Sequence, residues 1–177
     1  KITHLQGKGV ILNNNTVTVI DGLGKKTNYK GKNIVISTGS TPTTLPGIKI
    51  DEKNIVSSTG CLSFQEVPKE LVVIGGGYIG LELSSVWKRL GSKVTVMEFL
   101  GRIIPEMDKD ISDDLLKILI RQGINFKLNS KVTDVKVEKG KVIVNFVSNN
   151  NTKKETLLCD KVLIAVGRKA NLGEDIV

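Results

Sequence analysis

The residues best placed to do chemistry are Gly75-Gly76-Gly77-Tyr78-Ile79-Gly80, followed at a distance by Glu98. The glycines come directly after the apolar run Leu71-Val72-Val73-Ile74. They open a stretch in which Ile79, Leu83, Val86, Trp87 and Leu90 recur at helical spacing, with Gly91 where a C-cap belongs. A buried strand that turns at once into a helix leaves the first helical N–H groups and the positive dipole end facing outward, ready to hold a diphosphate. Gly75 permits the sharp turn, Gly77 lets the backbone approach the diphosphate, and Gly80 lets the helix pack closely on the sheet. Glu98 ends the next apolar run, Val94-Thr95-Val96-Met97, and lies 23 residues beyond Gly75, near the roughly 20 at which an acid meets the adenosine ribose. A carboxylate there accepts from both ribose hydroxyls and repels a 2′-phosphate, which favours NAD over NADP. Arg102 complicates that preference, although it lies past the strand end. The glycine pattern alone does not separate NAD from FAD, because both use it.

Other chemistry is sparse. His4 is the only histidine among 177 residues, so no Ser/His/Asp or Cys/His set can form and a metal site is not expected. Cys61 and Cys159 are far apart, without metal or redox spacing, and fit a reducing compartment. The formal charge is +8, but the lysines are scattered among loops and helix faces, so no nucleic-acid partner is expected. No apolar run approaches the roughly 18 residues of a membrane span. Asn14-Asn15-Thr16 and Asn150-Asn151-Thr152 match a glycosylation pattern and read as turns. The chain starts at Lys1 without Met and stops at Val177 just past an apolar strand, which reads as a piece of something longer.

The elements around the glycines follow from periodicity. Val17 and Val19 alternate with Thr16 and Thr18, a half-buried strand before the turn Gly22-Leu23-Gly24. Ile34-Val35-Ile36 is short and wholly apolar and reads as a buried strand ending in Ser37-Thr38-Gly39-Ser40. The proline-bearing stretch Thr41 to Pro46 suits a domain junction. A second helix starts near Asp108 or Asp110, with Ile111, Leu115, Ile118 and Leu119 as its apolar face and Gly123 closing it. Val132, Val135 and Val137, then Val142, Val144 and Phe146, flank a Lys139-Gly140 turn; Ser148 to Lys154 makes another, before the buried run Val162-Leu163-Ile164-Ala165-Val166-Gly167-Arg168. Residues 32–39 and 160–167 share one plan, each after a short run of antiparallel strands. The chain thus reads as the tail of one nucleotide-binding unit followed by most of a second. The expected class is α/β: a Rossmann-like dinucleotide-binding domain with a parallel sheet and a β-meander over 44–170, the tail of an FAD-binding domain over 1–43, and a connection over 171–177.

The stretch Val72-Val73-Ile74-Gly75-Gly76-Gly77-Tyr78-Ile79-Gly80-Leu81-Glu82-Leu83 resembles the NAD-binding fingerprint of the flavoprotein disulfide reductases. Ser85-Val86-Trp87-Lys88-Arg89-Leu90-Gly91, Val96-Met97-Glu98-Phe99-Leu100, Ile55-Val56-Ser57-Ser58-Thr59-Gly60 and Phe126-Lys127-Leu128-Asn129-Ser130-Lys131-Val132 are similar to the members that oxidise dihydrolipoamide. The resemblance runs in order along the whole chain. It implies NAD contacts at Gly75, Gly76, Gly77, Tyr78, Ile79, Gly80, Leu81, Glu82, Glu98, Val132 and Gly167, and FAD contacts at Gly9, Thr38, Gly39 and Ser40. Tyr78 matches an aromatic that covers the flavin in some relatives, or else simply packs its helix; Glu82 matches a carboxylate near the nicotinamide–flavin contact. The family's redox cysteine pair would lie before Lys1 and its His–Glu pair after Val177, so no catalytic residue is expected within the chain, and the chain alone is expected to be inactive. Ala170 stands where relatives often have Pro.

The resemblance further implies a homodimer that takes electrons from dihydrolipoamide on a lipoyl domain of a 2-oxoacid dehydrogenase or glycine cleavage complex. A bacterial cytoplasm or a mitochondrial matrix would suit it. Another NAD-linked disulfide reductase, for glutathione or mercuric ion, and a non-catalytic dinucleotide-binding module are the alternatives.

Overall fold

A computed structural model describes residues 1–148 and 153–173. The chain divides into two compact units, Lys1–Thr41 joined by the described residues from Lys169, and Pro42–Arg168. The sequence expectation had placed these boundaries two residues later, after 43 and after 170.

In the first unit β1 (Lys8–Asn13), β2 (Thr16–Ile20) and β3 (Lys26–Lys30) form an antiparallel meander in the order β1-β2-β3. Asp21 shapes its second turn by accepting the N–H groups of Leu23 and Lys25 at 2.9 and 3.0 Å. One expectation fails here: residues 34–36 form no strand, and Val35 and Ile36 are exposed. A parallel strand needs neighbours to pair its backbone and layers to cover both faces, and none of the sheets runs beside these residues. The apolar run therefore lies open to solvent.

The second unit is built on a five-stranded sheet in the order β5-β12-β6-β7-β8: β5 (Ile55–Val56), β12 (Lys161–Ile164), β6 (Glu70–Ile74), β7 (Lys93–Met97) and β8 (Asn125–Lys127). Every pairing in it is parallel. Its central strands read as continuous apolar runs because both faces are covered. Leu71 and Val73 pack with the helices α1 (Ser58–Leu62), α2 (Tyr78–Arg89) and α3 (Lys109–Arg121). Val72 and Ile74 point the other way, into a core shared with β9 (Ser130–Glu138), β10 (Lys141–Ser148) and β11 (Lys154–Cys159). The unit is thus helices, parallel sheet and antiparallel sheet in three layers. The short strands β4 (Ser40–Pro42) and β13 (Arg168–Ala170) pair with each other where the chain crosses between units.

Both long helices sit at the expected places, each with part of its expected face in the core (Ile79, Leu83 and Trp87; Leu115 and Leu119) and the rest turned outward. In α2 the buried residues include Gly80, Leu81, Leu83, Ser84 and Trp87, whereas Val86 and Leu90 are exposed. Trp87 sets that rotation: its indole N–H donates to Cys61 Sγ at 3.1 Å and its ring meets Phe64 at 5.2 Å between centroids. In α3, Ser112 and Leu119 are buried with Leu115 and Leu116 packed alongside, while Ile111 and Ile118 face outward. The Ser112 hydroxyl donates to the buried Ile103 carbonyl at 2.7 Å, a polar anchor that periodicity of apolar residues cannot reveal. Asp108 caps α3 by accepting from the Asp110 N–H.

In the antiparallel layer Val132 pairs with Phe146 and Asp134 with Asn145, so Thr133 drops out of the register and its hydroxyl donates to the Asn145 carbonyl at 3.1 Å. That bulge resets the alternation, which is why Val132 and Val135 are three residues apart. Lys139 and Gly140 both have positive φ (48° and 78°), the conformation of a type I′ hairpin turn. Of the expected turn from Ser148 to Lys154, residues 149–152, including Asn150-Asn151-Thr152, lie outside the described residues.

Two aspartates tie strand ends to loops. Asp160 is held below the usual carboxylate range first by the Lys141 ammonium at 2.5 Å, with the Glu70 N–H at 2.8 Å helping and burial opposing. At Asp51 burial pushes upward, but the N–H groups of Lys53, Ile55 and Asn54 outweigh it and lower the pKa. Their stabilisation is complete above the unfolded value of about 3.9 and is lost as pH falls through the depressed folded values. Thermal melts from pH 6 to pH 2 should therefore show a drop below pH 4 that is smaller in an Asp51→Asn/Asp160→Asn variant.

Candidate functional site

The turn from β6 into α2 is built by three separate glycine requirements. Gly75 has φ +110°, and a Cβ there would lie 2.3 Å from the Ala165 carbonyl oxygen at the end of β12. At Gly80 a Cβ would meet the Gly75 carbonyl oxygen at 2.3 Å and Val73 Cγ1 at 3.2 Å, so only glycine lets α2 lie this close to β6. Gly77 differs: nothing stands within 4 Å of its would-be Cβ, and its φ of −77° is open to any residue. No fold requirement demands glycine at 77.

Gly77 is also the N-cap of α2, and it makes no side-chain cap bond, whereas α1 and α3 are capped by Ser57 and Asp108. The first-turn N–H groups of a helix have no partner within the helix. Here they open on a cavity of ≈ 770 Å³, within the range of small-molecule sites. Gly75, Gly77, Tyr78, Ile79, Glu98, Val132 and Gly167 line it, all within Pro42–Arg168.

Glu98 leaves β7 with its carboxylate fixed at both oxygens. Oε2 accepts the Gly76 N–H at 2.6 Å and Oε1 the Leu100 N–H at 2.8 Å. The acid is thereby oriented toward the glycine turn, and each oxygen keeps a lone pair for a further donor. Gly76 is clasped from both sides, since its carbonyl accepts the Ile104 N–H at 2.9 Å.

Four expected residues do not line the cavity. Gly76 and Gly80 support it from behind, Leu81 is buried in the helix-side core, and Glu82 is exposed on α2. Tyr78 is 65% exposed and is not held by helix packing. The periodicity reading missed one whole wall, Pro42, Leu45, Pro46 and Ile48 from the segment before β5, together with Pro105, Glu106, Lys131 and Arg168. The proline-bearing stretch at 41–46 was the available signal, read only as a junction. Arg102 is not in the wall; its guanidinium donates to the carbonyls of Pro105 and Met107.

Gly9, Thr38, Gly39 and Ser40 lie in the first unit and are exposed. Thr38 donates its hydroxyl to the Asn171 carbonyl, and the Asn171 N–H donates to the Gly39 carbonyl at 2.9 Å. No group of three or more His, Cys, Asp or Glu that could hold a metal occurs among the described residues. Likewise, no helix among them is long and apolar enough to cross a membrane.

The family profile of pyridine nucleotide-disulphide oxidoreductases matches residues 1–174. The chain belongs to this family. It is 49% identical over 169 residues to a dihydrolipoamide dehydrogenase of Chaetomium thermophilum, covering 95% of this chain and 34% of that protein. It is 47% identical to the mitochondrial dihydrolipoyl dehydrogenase of Schizosaccharomyces pombe (95% and 33% covered) and 45% to a leghemoglobin reductase of Glycine max (95% and 32%). The chain spans about a third of the length of these relatives. Among solved structures it is similar to the HOCl-induced flavoprotein disulfide reductase RclA from Escherichia coli, with TM-score 0.73 and 33% identity over 96% of this chain and 37% of that one. LpdA of Mycobacterium tuberculosis shares the fold at TM-score 0.80 and 20% identity, over 96% of this chain and 37% of that one.

The two cysteines of this pyridine nucleotide-disulphide oxidoreductase chain are free and buried. Burial pushes the Cys61 thiol up to about 11 despite the Trp87 N–H, and the Cys159 thiol up to about 12. Since only thiolate attacks a disulfide, a chromogenic disulfide reagent at pH 8 should titrate neither thiol in the native chain. Both should react at once in denaturant; a rapidly reacting native thiol would contradict this placement.

Proposed function

We propose that the Pro42–Arg168 unit binds NAD(H), serving as the NAD-binding part of an FAD-dependent dihydrolipoamide dehydrogenase. The observation that carries the reading is Gly77: an uncapped helix N-terminus and a glycine that the fold does not require, both facing a cavity of ligand size. On this reading the first-turn N–H groups of α2 hold the diphosphate, and Gly77 keeps side-chain atoms out of its path. Glu98, fixed by Gly76 and Leu100, accepts from the adenosine ribose hydroxyls and repels a 2′-phosphate. Gly75, Gly76 and Gly80 shape the turn, while Tyr78, Ile79, Val132 and Gly167 border the dinucleotide. Leu81 and Glu82 belong to the helix that presents it.

Flavin, when bound in the longer protein, would relay electrons between a redox disulfide and NAD. Gly9, Thr38, Gly39 and Ser40 are proposed as its contacts from this chain. Alone these exposed residues do not enclose a flavin. The solvent-facing apolar residues Val35 and Ile36 agree with further flavin-domain structure lying over them. The lipoyl-domain substrate, the homodimer and a mitochondrial matrix location follow the mitochondrial relatives as proposals.

Calorimetric titration with NADH and NADPH tests the reading. NADH should bind saturably and at least about tenfold more tightly, a modest demand on like-charge repulsion at close range. Equal affinity, or no binding of either, would overturn it.

A further inference from the structure

Arg102 follows Glu98 by four residues, where a cation could in principle take a 2′-phosphate. The structure gives it other work. One terminal nitrogen of its guanidinium, Nη2, donates to the carbonyl of Pro105 and, at 2.8 Å, to that of Met107, which ties it to its own loop. That loop is under tension and well anchored. Ile103 is fully buried with its carbonyl on the Ser112 hydroxyl. Ile104 adopts φ +36°, a conformation unfavourable for a β-branched residue, and donates its N–H to the Gly76 carbonyl at 2.9 Å. Pro105 and Glu106, between the two carbonyls that Arg102 holds or beside them, form part of the cavity wall.

We infer that Arg102 is a positioning residue for the nucleotide site: it latches loop 101–107 against the glycine turn and thereby sets both the Pro105–Glu106 wall and the seat of Gly76. This rests on the NAD reading of the cavity. Without the latch, two carbonyls turn to water, Ile104 relaxes and the Gly76 carbonyl loses its donor, the Ile104 N–H. The Gly76 N–H that orients Glu98 then moves as well. The charged groups left to meet a nucleotide are Glu98, Glu106, Lys131 and Arg168, with Arg102 acting only through backbone.

The test uses Arg102→Ala and Arg102→Lys in this chain, with two readouts. Amide hydrogen exchange at Ile104 should be at least about tenfold faster in Arg102→Ala, as expected for loss of charge-assisted bonds that hold a strained loop. The Kd for NADH should rise about five- to tenfold, and that for NADPH by the same factor, so that their ratio is unchanged; the lysine, reaching one carbonyl, should recover part of both effects. A selective loss of NADPH would make Arg102 a phosphate ligand and overturn the inference. A lowered melting temperature with NADH affinity unchanged in the cold would reduce it to a stability residue and overturn it too. If the wild-type chain binds neither nucleotide, the NAD reading fails, while Ile104 exchange still decides whether Arg102 holds the loop.

Discussion

Gly77→Ala should leave the fold intact and weaken NADH binding by roughly 10- to 100-fold, the cost of one or two diphosphate–N–H bonds held out of reach. The two halves of that expectation come from one fact. A methyl group at 77 meets no protein atom within 4 Å, so it enters the cavity and disturbs nothing else. Its effect on the melting temperature should be limited to the loss of the better N-cap, about 1 kcal/mol or roughly 2–4 °C, since alanine is a poorer N-cap than glycine. Gly80→Ala is the opposite case. Its methyl would sit 2.3 Å from the Gly75 carbonyl oxygen and press on Val73, an overpacking that costs about 1–3 kcal/mol and lowers the melting temperature by roughly 3–10 °C. Paired melts and titrations check both. A Gly77→Ala variant destabilised beyond that capping loss, or one that binds NADH normally, would remove the main support for the site.

Glu98→Ala should reduce nucleotide discrimination. The wild-type carboxylate is pinned by the Gly76 and Leu100 N–H groups and faces the cavity. Its loss removes acceptors for the ribose and also leaves two backbone donors unpaired. NADH affinity should fall by about 10- to 50-fold, from hydrogen bonds to a charged group of about 1.5–3 kcal/mol. NADPH affinity should fall much less, because the lost repulsion offsets the lost order. The NADH-to-NADPH preference is then expected to approach one. Glu98→Gln, which keeps one oxygen acceptor, should lie between. Unchanged discrimination in Glu98→Ala would rule out the ribose role.

Both residues could be proposed from the sequence because the pattern that carries them is local: a strand, a glycine turn, a helix, and an acid at the next strand end. The three-layer second unit was legible as well, since continuous apolar runs and alternating ones mark doubly and singly covered strands. Residues 34–36 misled for the same reason that residues 161–164 did not. Both runs are apolar, but only the second finds neighbours on either side, β5 and β6. Periodicity also misplaced the edges of both helix faces, at Val86, Leu90, Ile111 and Ile118, because Trp87 and Ser112 fix the rotation through hydrogen bonds to Cys61 and the Ile103 carbonyl. The Pro42–Ile48 wall and the Arg102 latch were invisible for a further reason. They depend on where loops return in space, which no spacing rule reports.

The central claim is that the open end of α2 holds the diphosphate of NAD(H), and amide chemical-shift mapping during NADH titration tests it most directly. The account predicts saturable shifts concentrated at Gly76, Gly77, Tyr78 and Ile79, with smaller ones at Glu98 and Val132 and none at Gly9 or Gly39. Saturable shifts centred elsewhere, with the amides of residues 76–79 unmoved, would contradict it.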